Sequence, residues 1–265
     1  MFRPSLTLIA AVRQLKGLHI LALFFMKKII AFIAVSVFSL AFVFAQEQIE
    51  AGQPDFSEKT SIFSQIDKSL FFTLGPKLMV NTDDHTKSAP SPVMYSLGIG
   101  GDFTFTNGIL LQAHSSFFTN YYLWDGNNAQ PAEVENRTAT ALSAMIDLSG
   151  GYTFRLGESK NHFLSIAGGL GIFARYAILS NGVGEDETNR ETGSKAGDDL
   201  SNINDYFYSD LNFFYPQFSL SYSYALSEIW KIGGEARAYI PLGSLMNERG
   251  SDGMIVSLAF KLSYK

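Results

Sequence analysis

The chain has no cysteine in 265 residues, which excludes disulfides, thiolate metal sites and cysteine nucleophiles together. Packing and backbone hydrogen bonds must hold the fold. Charge is also scarce: Asp, Glu, Lys and Arg make up 17% of the residues and the net charge is -5. Aromatic residues are not interleaved with Lys or Arg and no basic footprint exists, so nucleic-acid binding is set aside. After Ala45 no uncharged apolar run reaches the ~18 residues that a transmembrane helix requires. What the chain does have is 23 Phe, 12 Tyr and 23 Gly, a composition suited to strands and tight turns.

Residues Met26 to Ala45 have the layout of a secretory signal. Lys27 and Lys28 form the positive start, Ile29 to Phe44 the apolar middle, and Val43-Phe44-Ala45 a cleavage site before Gln46. Polar Gln46, Glu47, Gln48 and Glu50 follow at once without a cationic stop-transfer flank, which disfavours a retained membrane helix. Residues 1–25 contain a second apolar stretch with Arg13, Lys16 and His19 that fits no signal layout, so translation is expected to start at Met26. The expected organisation is a spurious extension at 1–25, a signal peptide at 26–45, a short periplasmic segment at 46–68 and a barrel at 69–265.

From Ser69 onward, apolar and polar residues alternate with period two in eight segments, each long enough to cross a bilayer as a tilted strand. Leu70, Phe72, Leu74, Leu78 and Val80 oppose Thr73, Gly75 and Lys77; Leu142, Ala144, Ile146 and Leu148 oppose Ser143, Asp147 and Ser149; Met254, Val256, Leu258, Phe260 and Leu262 oppose Ser257, Lys261 and Ser263. Comparable strands are predicted over about 95–105, 109–121, 164–176, 214–224 and 230–240. Phe71, Leu110, Phe118 and Ile255 break the alternation, mostly near strand ends.

Connectors alternate long and short along the chain: 81–92, then 106–108; 122–138, then 157–161; 179–210, then 226–228; and finally 241–252. Short turns on the periplasmic side, long loops outside and an even strand count are the pattern of an outer-membrane barrel. Asn107-Gly108 reads as a two-residue hairpin turn. Aromatics on the apolar face gather at both ends: Phe72, Phe103, Phe105, Tyr152, Phe154, Tyr222, Tyr224, Trp230 and Tyr264 by the short turns, and Tyr95, Phe117, Tyr121, Tyr176 and Phe214 by the long loops. Two such girdles mark the two bilayer interfaces. The predicted fold is therefore all-β, an eight-stranded antiparallel up-and-down transmembrane β-barrel in the outer membrane of a diderm bacterium. A soluble lipocalin-like barrel, with apolar residues inward, is the weaker alternative, because the bulky set would overfill so narrow an interior.

In this architecture and in its terminal strand Met254 to Tyr264, the chain resembles the small outer-membrane barrel families of the OmpA and OmpW type over about residues 69–265. That resemblance implies insertion by the barrel-assembly machinery, and a role in envelope integrity, adhesion or small-solute passage. Such families often end in an aromatic residue, whereas here Lys265 follows Tyr264.

The polar face sends Lys77, Asp102, Asp147, Glu235, Arg237 and Lys261 into the lumen. Buried charges persist when paired, so these six are read as a structural ion-pair network that closes the lumen, with a gated or ion-selective passage as the alternative. Small Ser165, Ala167, Gly169 and Gly171 suggest some internal space. The glycine clusters 98–101 and 168–171 open no helix and so bind no phosphate; they serve curvature or inward room. His114, near Ser115 and Ser116, has no carboxylate placed by sequence to orient it, so a hydrolase is disfavoured and no enzyme activity is expected. The histidines form no metal spacing, and Asn136-Arg137-Thr138 is a chance sequon. No cofactor is expected. Loop 179–210, carrying Glu185, Asp186, Glu187, Glu191, Asp198 and Asp199, reads as a mobile, solvated acidic loop without the ligand order of a calcium loop. Its length makes it the segment expected to meet an extracellular partner. Outer-membrane lipid is the other expected partner, and the barrel is expected to be monomeric. A structural or surface-interaction role leads, ahead of a narrow channel or carrier for small or apolar solutes.

Overall fold

The computed structural model describes residues 66–80, 92–132, 139–158, 160–180, 182–188 and 193–265. The expected extension at 1–25, the signal at 26–45, residues 46–65 and the sequon at 136–138 lie outside them.

Among the described residues there are nine strands: β1 (Ile66–Met79), β2 (Val93–Phe105), β3 (Ile109–Trp124), β4 (Ala129–Ala132), β5 (Ala139–Leu156), β6 (His162–Leu179), β7 (Phe214–Ala225), β8 (Trp230–Tyr239) and β9 (Ile255–Tyr264). Eight of them form a closed antiparallel ring in chain order. β1 pairs with both β2 and β9, β2 pairs with β3, and only the short β4 stands outside the ring, folded back on the outer end of β3. Closure leaves the ring without a free edge, so the backbone groups of its strands are satisfied between neighbours. Among the described residues two helices interrupt the long connectors, α1 (Ala196–Tyr208) and α2 (Leu242–Met246).

The alternation sorts as the period-two pattern demands. Leu74, Leu97, Leu148 and Leu170 point outward, with Leu148 67% exposed, while Ser69, Thr73, Ser143, Ser219 and Ser257 are buried inside. The soluble-barrel alternative needs the reverse, so the structure corrects it. An outward apolar surface running around every strand of the ring far exceeds the few hundred Å² that soluble monomers leave bare. At the short-turn end the outer aromatics interlock, with ring centroids 4.8 Å apart for Tyr152 and Phe154 and 4.9 Å for Trp230 and Tyr264.

Several boundaries differ from the sequence reading. β1 begins at Ile66, inside the segment assigned to 46–68. β5 and β6 each run 18 residues, beyond the 142–155 and 164–176 expected, because at their outer ends the inward side carries small apolar residues (Ala139, Ala141, Ala177) and the alternation disappears. There the inner face packs on α1 rather than on polar neighbours. The connector 122–138, read as a loop, instead continues β3 to Trp124 and turns back into β4. The turn at 106–108 is a three-residue connection: Gly108 alone takes a positive φ of 90°, the Asn107 Oδ1 accepts from the Ile109 N–H at 3.1 Å, and the type I′ turn that Asn107-Gly108 signals would need positive φ at Asn107 as well.

The glycine cluster of β2 earns its place through inward room. A Cβ at Gly98 would lie 2.3 Å from the Thr73 Oγ1 and 2.6 Å from the His114 Nε2, and one at Gly100 would lie 2.2 Å from the Phe71 ring. These positions make space for a packed interior.

Candidate functional site

The lumen is filled in layers, and strand register sets each layer. Asp147 lies directly opposite His114 on the β3/β5 ladder, and Glu235 and Arg237, two residues apart on β8, share the inward face. Arg237 is the hub. Its Nε donates to Glu235 Oε1 at 2.5 Å and its Nη2 to Glu235 Oε2 at 3.0 Å; its Nη1 donates to Asp147 Oδ1 at 2.5 Å; its Nη2 also donates to the Gln112 Oε1. Gln112 passes the connection on, its Nε2 donating to Asp102 Oδ1 at 2.6 Å. Lys261 then closes the circuit, 2.7 Å from Asp102 Oδ2 and 3.7 Å from Glu235 Oε2, with its ammonium 3.9 Å from the Phe71 ring centroid. Five of the six residues expected in the network thus touch one another or share a partner. Lys77 joins differently: its ammonium sits over the rings of Phe118 and Tyr239, 5.3 and 5.0 Å from their centroids, a cation–π seat.

Formal charges balance, three cations (Lys77, Arg237, Lys261) against three carboxylates (Asp102, Asp147, Glu235). Asp147 also accepts from the Tyr239 hydroxyl at 3.0 Å and faces the His114 Nδ1 at 3.2 Å. Because a carboxylate only accepts, the His114 proton sits on Nδ1, leaving Nε2 to accept from the Thr73 hydroxyl 3.2 Å away. The carboxylate that sequence reading did not find beside His114 is therefore Asp147. All three side chains are buried, and Phe71 stacks on the imidazole with centroids 5.7 Å apart.

Above the ion pairs lies a layer of bulky apolar groups: Met79, Met94, Phe118, Met145, Phe173, Tyr215 and Ile255, all buried and in one cluster. Phe118 and Ile255, which broke the alternation, belong to this stratum, whereas mid-strand Phe71 packs beside His114 and Lys261 in the ion-pair layer. Of the internal space suggested by Ser165 to Gly171, the Gly171 end is filled, since a Cβ there would meet the Tyr215 carbonyl oxygen at 2.9 Å and the Met145 sulfur at 3.4 Å, while Ser165 lines a small cup. At the short-turn end a cup lined by Asp67, Asp102, Lys231, Lys261 and small hydroxyl residues has a volume of about 30 Å³, room for about two waters. Its rim holds Asp67 between Lys231 (3.7 Å) and Lys265 (3.2 Å).

At the long-loop end α1 is the stopper. Within 179–210, expected to be a solvated loop, Ile203 and Phe207 are 0% exposed and pack with Tyr122, Ala139, Ala141 and Ala177. Asp199, counted among the acidic residues of that loop, is buried. Arg175 on β6 fixes the C-terminal end of α1: its Nη2 donates to the Asn212 carbonyl at 2.7 Å and the Phe207 carbonyl at 3.4 Å, its Nη1 donates to the Tyr122 hydroxyl at 3.1 Å, and its guanidinium lies 4.2 Å from the Phe207 ring centroid. A cation at a helix C-terminus also complements the macrodipole. Tyr206 on the outer side of α1 is half-buried, and burial raises its phenol above the usual range, offset in part by Arg249.

No family model and no curated protein matches the chain. Among solved structures, neisserial surface protein A is similar at 10% identity over 76% of this chain and 98% of its own, with a TM-score of 0.44. Ail, the attachment invasion locus protein of Yersinia pestis, crystallised with the heparin analogue sucrose octasulfate, is similar at 9% identity over 75% of this chain and 98% of its own, TM-score 0.39. A de novo designed transmembrane β-barrel is similar at 10% identity over 74% and 93%, TM-score 0.33. At such scores the barrel assignment stands on the closed hydrogen-bonded ring of this chain, not on these likenesses.

Sequence reading missed α1, Arg175, Arg249 and the Asp147–His114 contact. Leu200, Ile203 and Phe207 do recur at helical spacing and could have revealed α1. The Asp147 contact depended on register across a long connector, and no local signal carries that.

Proposed function

We propose that the mature chain is a monomeric outer-membrane barrel of structural and surface-interaction function, which holds a rigid outer mouth at the cell surface and does not conduct or catalyse. One observation carries this reading: a lumen blocked by stacked ion-pair, apolar and helix layers, inside a wall whose outer face is apolar. Lipid is the partner of that face, and insertion by the barrel-assembly machinery after signal cleavage near Ala45/Gln46 is the route implied by the resemblance. A narrow channel would need a connected polar path, whereas the ion-pair layer lies beneath an aromatic and methionine layer and then beneath α1.

The absence of native cysteine permits a clean topology test. Ser251 lies in an outer connector and Glu228 in a short turn, both exposed. On intact cells a membrane-impermeant maleimide is expected to label Ser251→Cys and to spare Glu228→Cys until the envelope is permeabilised. Equal labelling of both, or recovery of the processed chain wholly in periplasmic extract, would sink the reading. Refolded protein in a planar bilayer is expected to stay silent; discrete single-channel steps from the wild-type chain would restore the channel reading instead.

A further inference from the structure

The outer mouth holds a cleft with a volume of about 460 Å³, within the ~300–1,000 Å³ range of small-ligand sites. Three separate outer segments build it: the β3–β4 turn with Trp124, α1 with Asn202, Asp205 and Tyr206, and the β8–β9 connector with Arg249, while Asp210 closes one side. From these residues we propose that the cleft is a binding site for an uncharged oligosaccharide. The proposal deepens the surface-interaction reading above by naming its ligand class, and it rests on that reading.

The lining has the chemistry such a ligand needs. A pyranose ring presents a C–H face to be covered and a rim of hydroxyls that donate and accept at once. Trp124 and Tyr206 supply aromatic surface, their rings edge-to-face with centroids 6.4 Å apart; indole and phenol combine an apolar body with a polar edge. Around them Asn202 offers both an acceptor and donors, and Asp205 and Asp210 offer acceptors only. Two carboxylates stand against a single guanidinium, and that guanidinium is already engaged: Arg249 Nη2 donates to the Asn212 Oδ1 at 2.9 Å, and its Nη1 donates to the Tyr206 hydroxyl and, at 3.4 Å, to Asn128 Oδ1. The balance is wrong for a sulfated or phosphorylated ligand and suits a neutral one.

The cleft is also held open in advance, which lowers the ordering cost that weak polar ligands cannot offset. Ile203 and Phe207 anchor α1 from below. In the β3–β4 turn, Asp125 Oδ1 accepts from the backbone N–H groups of Asn127 and Asn128 at 2.7 and 2.6 Å. Asp210, which lines the cleft, and Leu211 and Glu248, each next in sequence to a lining residue, have φ of 45°, 60° and 59°, a left-handed conformation that is costly for such residues and is kept here by the surrounding packing. Gly243 lets α2 approach closely, since a Cβ there would come within 2.5 Å of the Asp210 carbonyl oxygen.

The test uses the full mature chain in lipid nanodiscs, free of sugar-based detergent, titrated calorimetrically with chitotriose, maltotriose and a heparin hexasaccharide. At least one of the two neutral trisaccharides is expected to bind saturably, and heparin to bind no better than in a control with empty nanodiscs. Trp124→Ala and the near-isosteric double variant Asp205→Asn, Asp210→Asn are each expected to weaken that binding by about tenfold or more. Heat-modifiable gel mobility verifies that both variants keep the barrel. Tryptophan emission gives a second readout, because Trp124 and Trp230 are the chain's two tryptophans; in a Trp230→Phe background the ligand is expected to shift the remaining signal. Failure of both neutral sugars, binding of heparin alone, or undiminished binding in both variants would overturn the proposal. Surface labelling of Ser251→Cys is scored independently, so a displayed protein that binds no sugar refutes the ligand class and leaves the display reading standing.

Discussion

Replacing Arg237 with alanine is expected to destabilise the folded barrel by about 3–5 kcal/mol, read as a lower urea midpoint in lipid vesicles and a loss of heat-modifiable gel mobility. The magnitude follows from what the truncation strands. Arg237 donates to Glu235 through two nitrogens and to Asp147 and Gln112 through its terminal pair, and all of these partners are buried. Without it three carboxylates (Asp102, Asp147, Glu235) face only Lys77 and Lys261, and Asp147 and Glu235 lose their guanidinium partner. Lys261 stands 3.7 Å from Glu235, and neither it nor Lys77 is an ion-pair partner of Asp147. Arg237→Lys is expected to recover only part of the loss, because an ammonium is a point charge and cannot span both carboxylates as the planar fork does. A wild-type urea midpoint for Arg237→Ala would show that the network contributes nothing to folding.

Phe207→Ala is expected to cost a similar ~3–5 kcal/mol, but locally. The ring is 0% exposed, 4.7 Å from the Tyr122 ring in an edge-to-face contact and stacked under the Arg175 guanidinium. Because α1 docks on a ring of strands that closes without it, the loss should appear as opening of the helix, with the strands intact. Amide exchange in Ala196–Tyr208 is expected to speed up by roughly 100-fold or more, since each ~1.4 kcal/mol is a factor of ten, while the global midpoint moves little. Unchanged exchange in α1, or simultaneous exchange of α1 and β6, would contradict the picture of an independently docked stopper.

How much of this was readable in the residues depends on the distance over which each signal acts. Strand existence, direction and facing follow from period-two alternation, which needs only neighbours along the chain; Leu142 to Leu148 against Ser143 to Ser149 is enough to place β5. Glu235 and Arg237 share a face for the same reason, so part of the ion network was visible at once. Lys261 and Asp102 were also expected in that network, but their direct contact, reaching over β1 between β9 and β2, is set by closure and not by alternation. The His114–Asp147 pair needs the register of β3 against β5, and the connector between them is too long to fix it. The helix was hidden for another reason: Asp198, Asp199 and Asp205 surround its apolar positions and read as a solvated loop, although Leu200, Ile203 and Phe207 keep a helical stripe. In the same way the apolar ends of β5 and β6 lose their alternation where α1 covers them, so the strands looked shorter than they are.

The seam where β9 meets β1 sets an order of events during assembly. Leu70 faces Tyr264, and the Lys265 ammonium reaches Asp67 at 3.2 Å. The two partners of that junction lie nearly the whole length of the domain apart in sequence, so zipping them together bears the largest chain-closure entropy of any ladder in the ring. Each hairpin can form from its own neighbourhood, whereas this junction must wait until β9 has been delivered. Until then β1 and β9 both carry bare hydrogen-bonding edges, and an external template that shields them until the cylinder seals would meet the need.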